Sequence, residues 1–84
     1  MTNNMEKTTT MPKGENVREN FFTTDGNALC AFLAEAKDNS KRVENVFVEG
    51  ILKGMIFVSD TKKYEFWFDE NGRTRVVIRE FYNN

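Results

Sequence analysis

The chain has few side chains that could catalyse a reaction. It contains no histidine and one cysteine, Cys30, so neither a Ser-His-Asp nor a Cys-His arrangement can form. Both of its serines, Ser40 and Ser59, lie beside polar residues typical of turns. The carboxylates show no spacing that specifies acid–base catalysis, and the five glycines are scattered rather than grouped into a phosphate-binding loop. These observations predict a protein that is not an enzyme.

Metal ions and cofactors also lack candidate ligands in this sequence. A zinc site is built mainly from cysteine and histidine side chains, and the chain offers only Cys30. Nothing resembles the spaced carboxylates of a calcium loop. We therefore predict no metal and no cofactor. A lone cysteine forms no internal disulfide, and the N-terminus lacks the apolar core of a signal peptide, which together predict a reducing, cytoplasmic location.

Length and charge narrow the class of protein further. Eighty-four residues form one domain with a small core, and small cores are often supplemented by self-association, so we expect a homo-oligomer. Twelve basic and thirteen acidic side chains give a net charge of −1, unlike the strongly basic face of proteins that bind duplex DNA. The longest apolar run, Met55–Val58, is far too short for a membrane helix, so we expect no membrane partner.

The strongest pattern is the alternation in residues 62–81, KKYEFWFDENGRTRVVIREF, which predicts a β-hairpin. In its first strand Tyr64, Phe66 and Phe68 share one face, and Trp67 lies on the other face among charged residues. The three aromatic side chains predict contact with the core. Trp67 is therefore expected on the outer, solvent side of the hairpin.

The loop of this hairpin determines which side chains lie opposite one another. A two-residue turn would place aromatic core side chains beside arginines. A three-residue loop that ends at Gly72, with this glycine in the left-handed conformation, places Phe66 opposite Val76 and Trp67 opposite Arg75. The pattern therefore favours the three-residue loop.

The outer face of the hairpin is the predicted partner-binding surface, because Trp and Arg are frequent among the residues that dominate protein interfaces. The predicted binding residues are Lys63, Glu65, Trp67, Arg73, Arg75, Val77 and Arg79. Two other interpretations stay open. In one, Trp67 is a cross-strand staple on which the guanidinium group of Arg75 stacks. In the other, the same face is the seam between copies of the chain.

A helix is predicted over the sequence TTDGNALCAFLAEAKDNSK. Thr24 or Asp25 can cap its N-terminus, and the short polar side chains of residues 38–40 end it. One apolar stripe follows the helical period and consists of Leu29, Phe32, Leu33 and Ala36. Phe21 and Phe22, just before the cap, are predicted to fold back onto the helix as a hydrophobic staple.

Two further strands, about residues 43–49 and 52–59, are predicted on either side of Gly50. Residues 1–16 are predicted to be a flexible tail, and residues 17–84 a single small domain. The expected fold is α+β, with one amphipathic helix packed on an antiparallel sheet of about four strands and a C-terminal β-hairpin. Because the sequence MIFV is apolar on both faces, its strand is expected to be central, with the outer side covered by a curled, barrel-like sheet or by a second subunit.

Part of the chain resembles the Sm-like RNA-binding family, whose fold is an N-terminal helix followed by a bent antiparallel barrel. The resemblance covers residues 43–79 and rests on Gly50, Gly54 and Asp60, which match a strand-ending glycine, a second glycine and an aspartate, and on the sequence VVIRE at residues 76–80. It implies a ring of subunits that binds RNA or a nucleotide by stacking and by cation contacts. The residues that the resemblance implies for this site are Asp60, Lys63, Tyr64 and Arg79.

The function expected from these features is binding without catalysis. A compact chain without reactive groups acts by occupying a surface, so we predict a small protein-binding module of the adaptor or inhibitor type. Small antagonists of host proteins carried by phages or mobile elements are of this size and kind. The alternative is binding of nucleic acid or a nucleotide by an Sm-like oligomeric barrel. The expected partner is another protein, with RNA or a nucleotide as the alternative.

Overall fold

The computed structural model describes residues 14–82, which form an antiparallel five-stranded sheet and one helix. The elements are β1 (Gly14–Thr23), α1 (Gly26–Asn39), β2 (Arg42–Val48), β3 (Ile51–Val58), β4 (Lys62–Phe68) and β5 (Thr74–Tyr82). Their order across the sheet is β1-β5-β4-β3-β2, so successive hairpins build the sheet from β2 to β5 and β1 pairs beside β5. The α+β class is confirmed.

Strand β1 is a fifth strand, where the sequence predicts about four. Its first residues, 14–16, belong to the segment predicted as a tail, and residues 1–13 of that segment lie outside the described residues. Phe21 and Phe22, predicted to fold back onto the helix as a staple, are ladder residues of β1 paired with β5. Phe21 packs on Phe32 of the helix, with 5.5 Å between the ring centroids, whereas Phe22 faces the other side of the sheet. The sequence of β1 is rich in polar residues and lacks strict alternation, so its strand conformation comes from pairing with β5 rather than from its own pattern.

Helix α1 begins and ends where the sequence predicts. The Asp25 side chain caps it by accepting hydrogen bonds from the backbone N–H groups of Asn27 (2.9 Å) and Ala28 (3.4 Å). At the other end, the Asn39 side chain donates to the carbonyl of Glu35 and competes with the helical hydrogen bonds. The predicted stripe of Leu29, Phe32, Leu33 and Ala36 packs in the core. No helix in residues 14–82 is long and apolar enough to cross a membrane.

The core lies between α1 and one face of the sheet. Tyr64, Phe66, Val76 and Ile78 are fully buried there, as predicted for the inner side of the C-terminal hairpin. Phe66 packs edge-on against Phe57 of β3, with 5.6 Å between the ring centroids. We call this helix-covered side of the sheet the inner face and the opposite side the outer face.

The C-terminal hairpin has the predicted register. Phe66 lies opposite Val76, and Trp67 lies opposite Arg75. Gly72, the last residue of the three-residue loop, has a φ angle of 78°, in the left-handed region that glycine adopts without a steric penalty. The three-residue loop is confirmed, and Trp67 is therefore on the outer face.

The sheet is open, and the predicted barrel is not formed. Closure requires hydrogen bonds between the first and last strands of a sheet, but β1 and β2 are the two edges of the sheet formed by residues 14–82. Strand β3 has a neighbour on each side but lies next to the β2 edge. The element order of the Sm-like fold is also absent, because β1 precedes the helix.

Candidate functional site

The outer face presents side chains in rows that cross the sheet from strand to strand. One row runs from β1 to β3 through Phe22, Arg75, Trp67 and Gly54, since each of these residues lies opposite the next in the ladder. Helix α1 packs on the inner face, which leaves this row without a covering element in the described part of the chain. The row therefore brings two aromatic rings and a guanidinium group to one open surface.

The indole ring of Trp67 lies against the backbone of Gly54. A Cβ atom at Gly54 would come within 2.5 Å of the ring and 2.9 Å of a backbone oxygen, so a larger residue at position 54 would displace the ring. The indole N–H donates a hydrogen bond of 3.1 Å to Glu65 Oε1. The contact with Gly54 places the ring over β3, and the ring is half-buried. Trp67 thus covers the outer side of β3, which the sequence predicts to need a cover.

The arginines of the outer face contact Phe22 rather than Trp67. The guanidinium carbons of Arg73 and Arg75 lie 4.8 Å and 5.9 Å from the centroid of the Phe22 ring. Arg75 Nε also donates a hydrogen bond of 3.1 Å to the side chain of Asn20. The predicted stacking of Arg75 on Trp67 is replaced by this cation–π contact, because β1 places a second aromatic ring opposite Arg75.

Phe22 is the functional candidate that the sequence prediction misses. Its side chain is 56% exposed although two guanidinium groups contact its ring. The signal that could have identified it is the pair of consecutive phenylalanines. Consecutive residues of a strand face opposite sides, so a Phe21 that packs inward on Phe32 of the helix requires an outward Phe22.

Hydrogen bonds and ion pairs on the outer face connect Trp67, Glu65, Arg79 and Glu15. Arg79 Nε donates to Glu65 Oε2 at 2.9 Å, and a further nitrogen of Arg79 lies 3.4 Å from the carboxylate of Glu15. Glu65 also accepts the indole hydrogen bond, so its carboxylate connects Trp67 with Arg79. The positive charge of Arg79 is therefore compensated within the chain.

Arg73 is fixed at the hairpin loop by Asp69. Its backbone N–H and its guanidinium Nε each donate to the Asp69 carboxylate at 2.9 Å. The hydrogen bond from the Arg73 backbone, aided by that from the backbone of Asn71, lowers the pKa of the Asp69 carboxyl below its usual range. The Arg73 side chain is thereby oriented over Phe22.

Two of the predicted binding residues are buried on the outer face rather than exposed to solvent. Val77 is 3% exposed and Glu65 is 9% exposed. Lys63 lies opposite Arg79 in the ladder and is half-buried. Of the seven residues predicted from the sequence, Arg73 and Arg75 are the exposed ones.

The residues implied by the Sm-like resemblance are not brought together. Tyr64 is fully buried on the inner face, and its hydroxyl donates to Glu35 of the helix at 3.0 Å, so its ring cannot stack on a base. Lys63 and Arg79 lie on the opposite face, and Asp60 pairs with Lys41 at 2.7 Å. Within residues 14–82 no group of three or more acidic, cysteine or histidine side chains could hold a metal ion.

A second surface, also missed by the sequence prediction, lies on the β2–β3 hairpin. This apolar hairpin patch consists of Val43, Phe47, Val48, Ile51 and Leu52, whose exposed fractions run from 37% to 60%. Consecutive strand residues face opposite sides, so the patch includes both sides of the hairpin. The sequence predicts these strands to be covered on both sides. In the structure, the core that α1 covers is built mainly on β4 and β5, and the patch stays exposed.

Comparison of the chain with protein-family models, with curated proteins and with solved structures finds no match. The arguments for function therefore come from the side chains of the two surfaces described above.

Proposed function

We propose that this chain is a small, non-enzymatic protein that binds another protein through the outer face, with Phe22, Trp67 and Arg75 at the centre of the contact. The observation that carries this proposal is the exposed phenyl ring of Phe22, which contacts the guanidinium groups of Arg73 and Arg75. An aromatic ring that is already fixed loses little side-chain entropy on binding, and Trp, Tyr and Arg dominate the energetics of protein interfaces. Preorganisation of this kind supports a binding role.

The charge distribution of the outer face favours a protein partner over a nucleic acid. Arg79 is compensated by Glu65 and Glu15, and Arg73 is compensated by Asp69. A phosphate backbone would have to compete with these carboxylates for the guanidinium groups of Arg73 and Arg79, while Arg75 is hydrogen-bonded to the neutral side chain of Asn20. An interface that combines a buried aromatic centre with a polar rim fits the arrangement better.

The proposed mode of action is steric and of the adaptor or inhibitor type. The chain contains no histidine and one exposed cysteine, and the outer face carries no nucleophile beside a base. A protein of this kind changes its partner by occupying a surface that another molecule needs, as small antagonists carried by phages or mobile elements do. We place this activity in the cytoplasm, where a lone cysteine stays reduced.

Affinity measurements on single variants test this proposal. The immobilised chain is used to isolate a partner, and the affinity of the purified partner is then measured for Phe22→Ala and for Tyr82→Ala. Tyr82 is the matched control, because it is an aromatic residue of similar exposure, 52%, that lies outside the row of Phe22. We expect Phe22→Ala to weaken binding about tenfold or more and Tyr82→Ala to leave it within about twofold.

Two results would contradict the proposal. Equal binding by the Phe22→Ala and Tyr82→Ala variants would show that the outer face is not the contact. A bound nucleic acid whose affinity falls steeply as salt is raised would favour the phosphate-binding alternative, since a Trp- and Phe-centred protein interface depends weakly on salt.

A further inference from the structure

The two edges of the sheet differ in how they are protected against pairing with another strand. β1 carries three charged residues, Glu15, Arg18 and Glu19, and its ladder is interrupted by a bulge between Val17 and Glu19. Charges and bulges are common means by which edge strands avoid edge-to-edge association. β1 is therefore a protected edge.

Strand β2 carries no charge over its second half, and the bulge in its ladder with β3, between Val46 and Phe47, places the extra residue, Lys53, in β3 rather than at the edge. Its charged residues, Arg42 and Glu44, lie in the first three positions, where they pair with each other at 3.7 Å. The rest of the strand, Asn45–Val48, is uncharged and leads directly into the apolar hairpin patch. Val43 and Phe47 share one side of β2, two residues before and after Asn45. Exposed apolar side chains grouped in this way commonly mark an interaction site on a soluble protein.

We propose that β2 is the seam of a homodimer, in which two copies pair their β2 strands antiparallel about a two-fold axis at Asn45. The two five-stranded sheets then form one continuous sheet of ten strands. This proposal does not depend on the function of the outer face, because the Phe22 row runs across the sheet from β1 and the seam lies on the opposite edge.

The register follows from the sequence of β2. Asn45 is the middle of the seven residues of the strand, so a two-fold axis there pairs all seven residues with the second copy. An axis at Val43 or Val46 leaves part of the strand without a partner. An axis at Glu44 places two carboxylates directly opposite each other, which destabilises a strand pair.

Pairing about Asn45 brings together two of the apolar side chains that the monomer exposes, Val43 and Phe47. Val43, 48% exposed, lies opposite the second copy's Phe47, which is 60% exposed, and the same pair forms again on the other side of the axis. The two Asn45 side chains meet at the axis, where their amides can hydrogen-bond. The internal pairing of Arg42 with Glu44 leaves the strand without net charge, so two copies of it do not repel one another.

The size of the seam determines how stable the dimer is expected to be. A seam of two seven-residue strands is a small contact, whereas specific, stable interfaces bury about 1,200–2,000 Å² in total. We therefore expect a dimer that dissociates on dilution rather than a permanent one.

Molar mass measured by sedimentation over a range of protein concentrations is the first test. We expect a monomer–dimer equilibrium for the wild-type chain and a monomer at every concentration for Phe47→Lys. Val17→Lys is the matched control, because Val17 is a similarly exposed apolar residue, 46%, on the other edge of the sheet. A wild-type chain that stays monomeric at high concentration, or a dimer that survives in Phe47→Lys, would overturn the proposal.

Disulfide crosslinking tests the register and does not depend on the folding of Phe47→Lys. In a Cys30→Ser background, which removes the exposed natural thiol, residues 45 of two copies lie directly opposite, with Cβ atoms about 4.5–5.5 Å apart, whereas residues 46 are diagonal neighbours about 7–8 Å apart. We expect Asn45→Cys to form a covalent dimer at least about tenfold faster than Val46→Cys or Val17→Cys. Faster crosslinking at position 46 or 17 would refute pairing about Asn45.

Discussion

Tyr64 connects the helix with the sheet through a partly buried hydrogen bond. Its hydroxyl donates to Glu35 Oε2 at 3.0 Å, and Arg18 of β1 pairs with the same carboxylate at 2.9 Å. Three elements thus meet at one carboxylate. Burial, together with the hydrogen bond to Glu35, raises the pKa of Tyr64 to about 12.

This pKa predicts a loss of stability at alkaline pH. The usual pKa of tyrosine is 10.0, so as pH rises from 10.0 toward about 12 the unfolded chain loses the Tyr64 proton while the folded chain keeps it. The stabilisation that Tyr64 provides is complete below pH 10.0 and decreases through this window. We expect the free energy of unfolding of the wild-type chain, from urea denaturation, to fall more steeply across the window than that of Tyr64→Phe.

The phenolate absorbance of Tyr64 provides an independent check in a Tyr82→Phe background, where Tyr64 is the remaining tyrosine. We expect its ionisation to begin only well above pH 10.0 in the folded chain. Parallel stability curves for the wild type and Tyr64→Phe, or ionisation of Tyr64 near pH 10.0, would contradict the buried contact with Glu35.

The β2–β3 hairpin carries local strain in its turn. Val48 lies opposite Ile51, so the turn has two central residues, Glu49 and Gly50, with φ angles of 52° and 80°. Positive φ at both positions is typical of a type I′ turn, which favours Asn-Gly. Glutamate is a poor residue in this conformation, because its Cβ is crowded by the backbone.

We therefore expect Glu49→Asn to stabilise the protein. A non-glycine residue in the left-handed region costs about 1–3 kcal/mol, and asparagine avoids part of that cost, so the expected gain is about 0.5–1 kcal/mol. Chemical denaturation measures it. Glu70→Asn is the control, because it makes the same charge change in the other hairpin loop at a residue without positive φ. An equal gain in both variants would attribute the effect to charge rather than to the turn.

Across the whole molecule, burial decreases from the middle of the sheet to the β2 edge. In β4 and β5, three and four residues are buried, whereas β2 has none among its seven. Local opening free energies follow such differences in apolar contact. In a homodimer, however, the β2 amides would also be protected by the second copy.

Hydrogen exchange on the Phe47→Lys variant separates these two contributions. In this monomer we expect the β2 amides to exchange at least about tenfold faster than those of β4 and β5, because β2 has the fewest buried contacts. In the wild-type chain at high concentration we expect the β2 amides to slow toward the β4 rates, while those of β1 stay unchanged. Equal protection of β2 in both proteins would contradict the seam, and β2 amides as slow as those of β4 in Phe47→Lys would contradict the gradient.

A β2 seam would also determine the relative orientation of the two proposed binding surfaces in the dimer. A two-fold axis perpendicular to a continuous sheet keeps both outer faces on the same side. A dimer would therefore present two Phe22 surfaces to one partner assembly, and binding of both would raise the apparent affinity without new contacts.

Much of this fold could be predicted from the sequence, because the forces involved act between residues close together in the chain. The alternation of Tyr64 and Phe66, with Gly72 at the end of the loop, determined the register of the C-terminal hairpin. Asp25 and the apolar stripe determined the start and the inward side of α1. Each of these signals is a local periodicity or a local backbone preference, and neither depends on contacts with distant parts of the chain.

The candidate site depended on contacts between residues far apart in the sequence, and only the tertiary structure decided those. Phe22 lies opposite Arg75 because β1 pairs with β5. The polar sequence of β1 does not predict that pairing. Trp67 packs on Gly54, and Glu35 reaches Tyr64, for the same reason. The open sheet with its exposed β2 edge depended on where α1 packs, since one helix can cover only part of a five-stranded sheet.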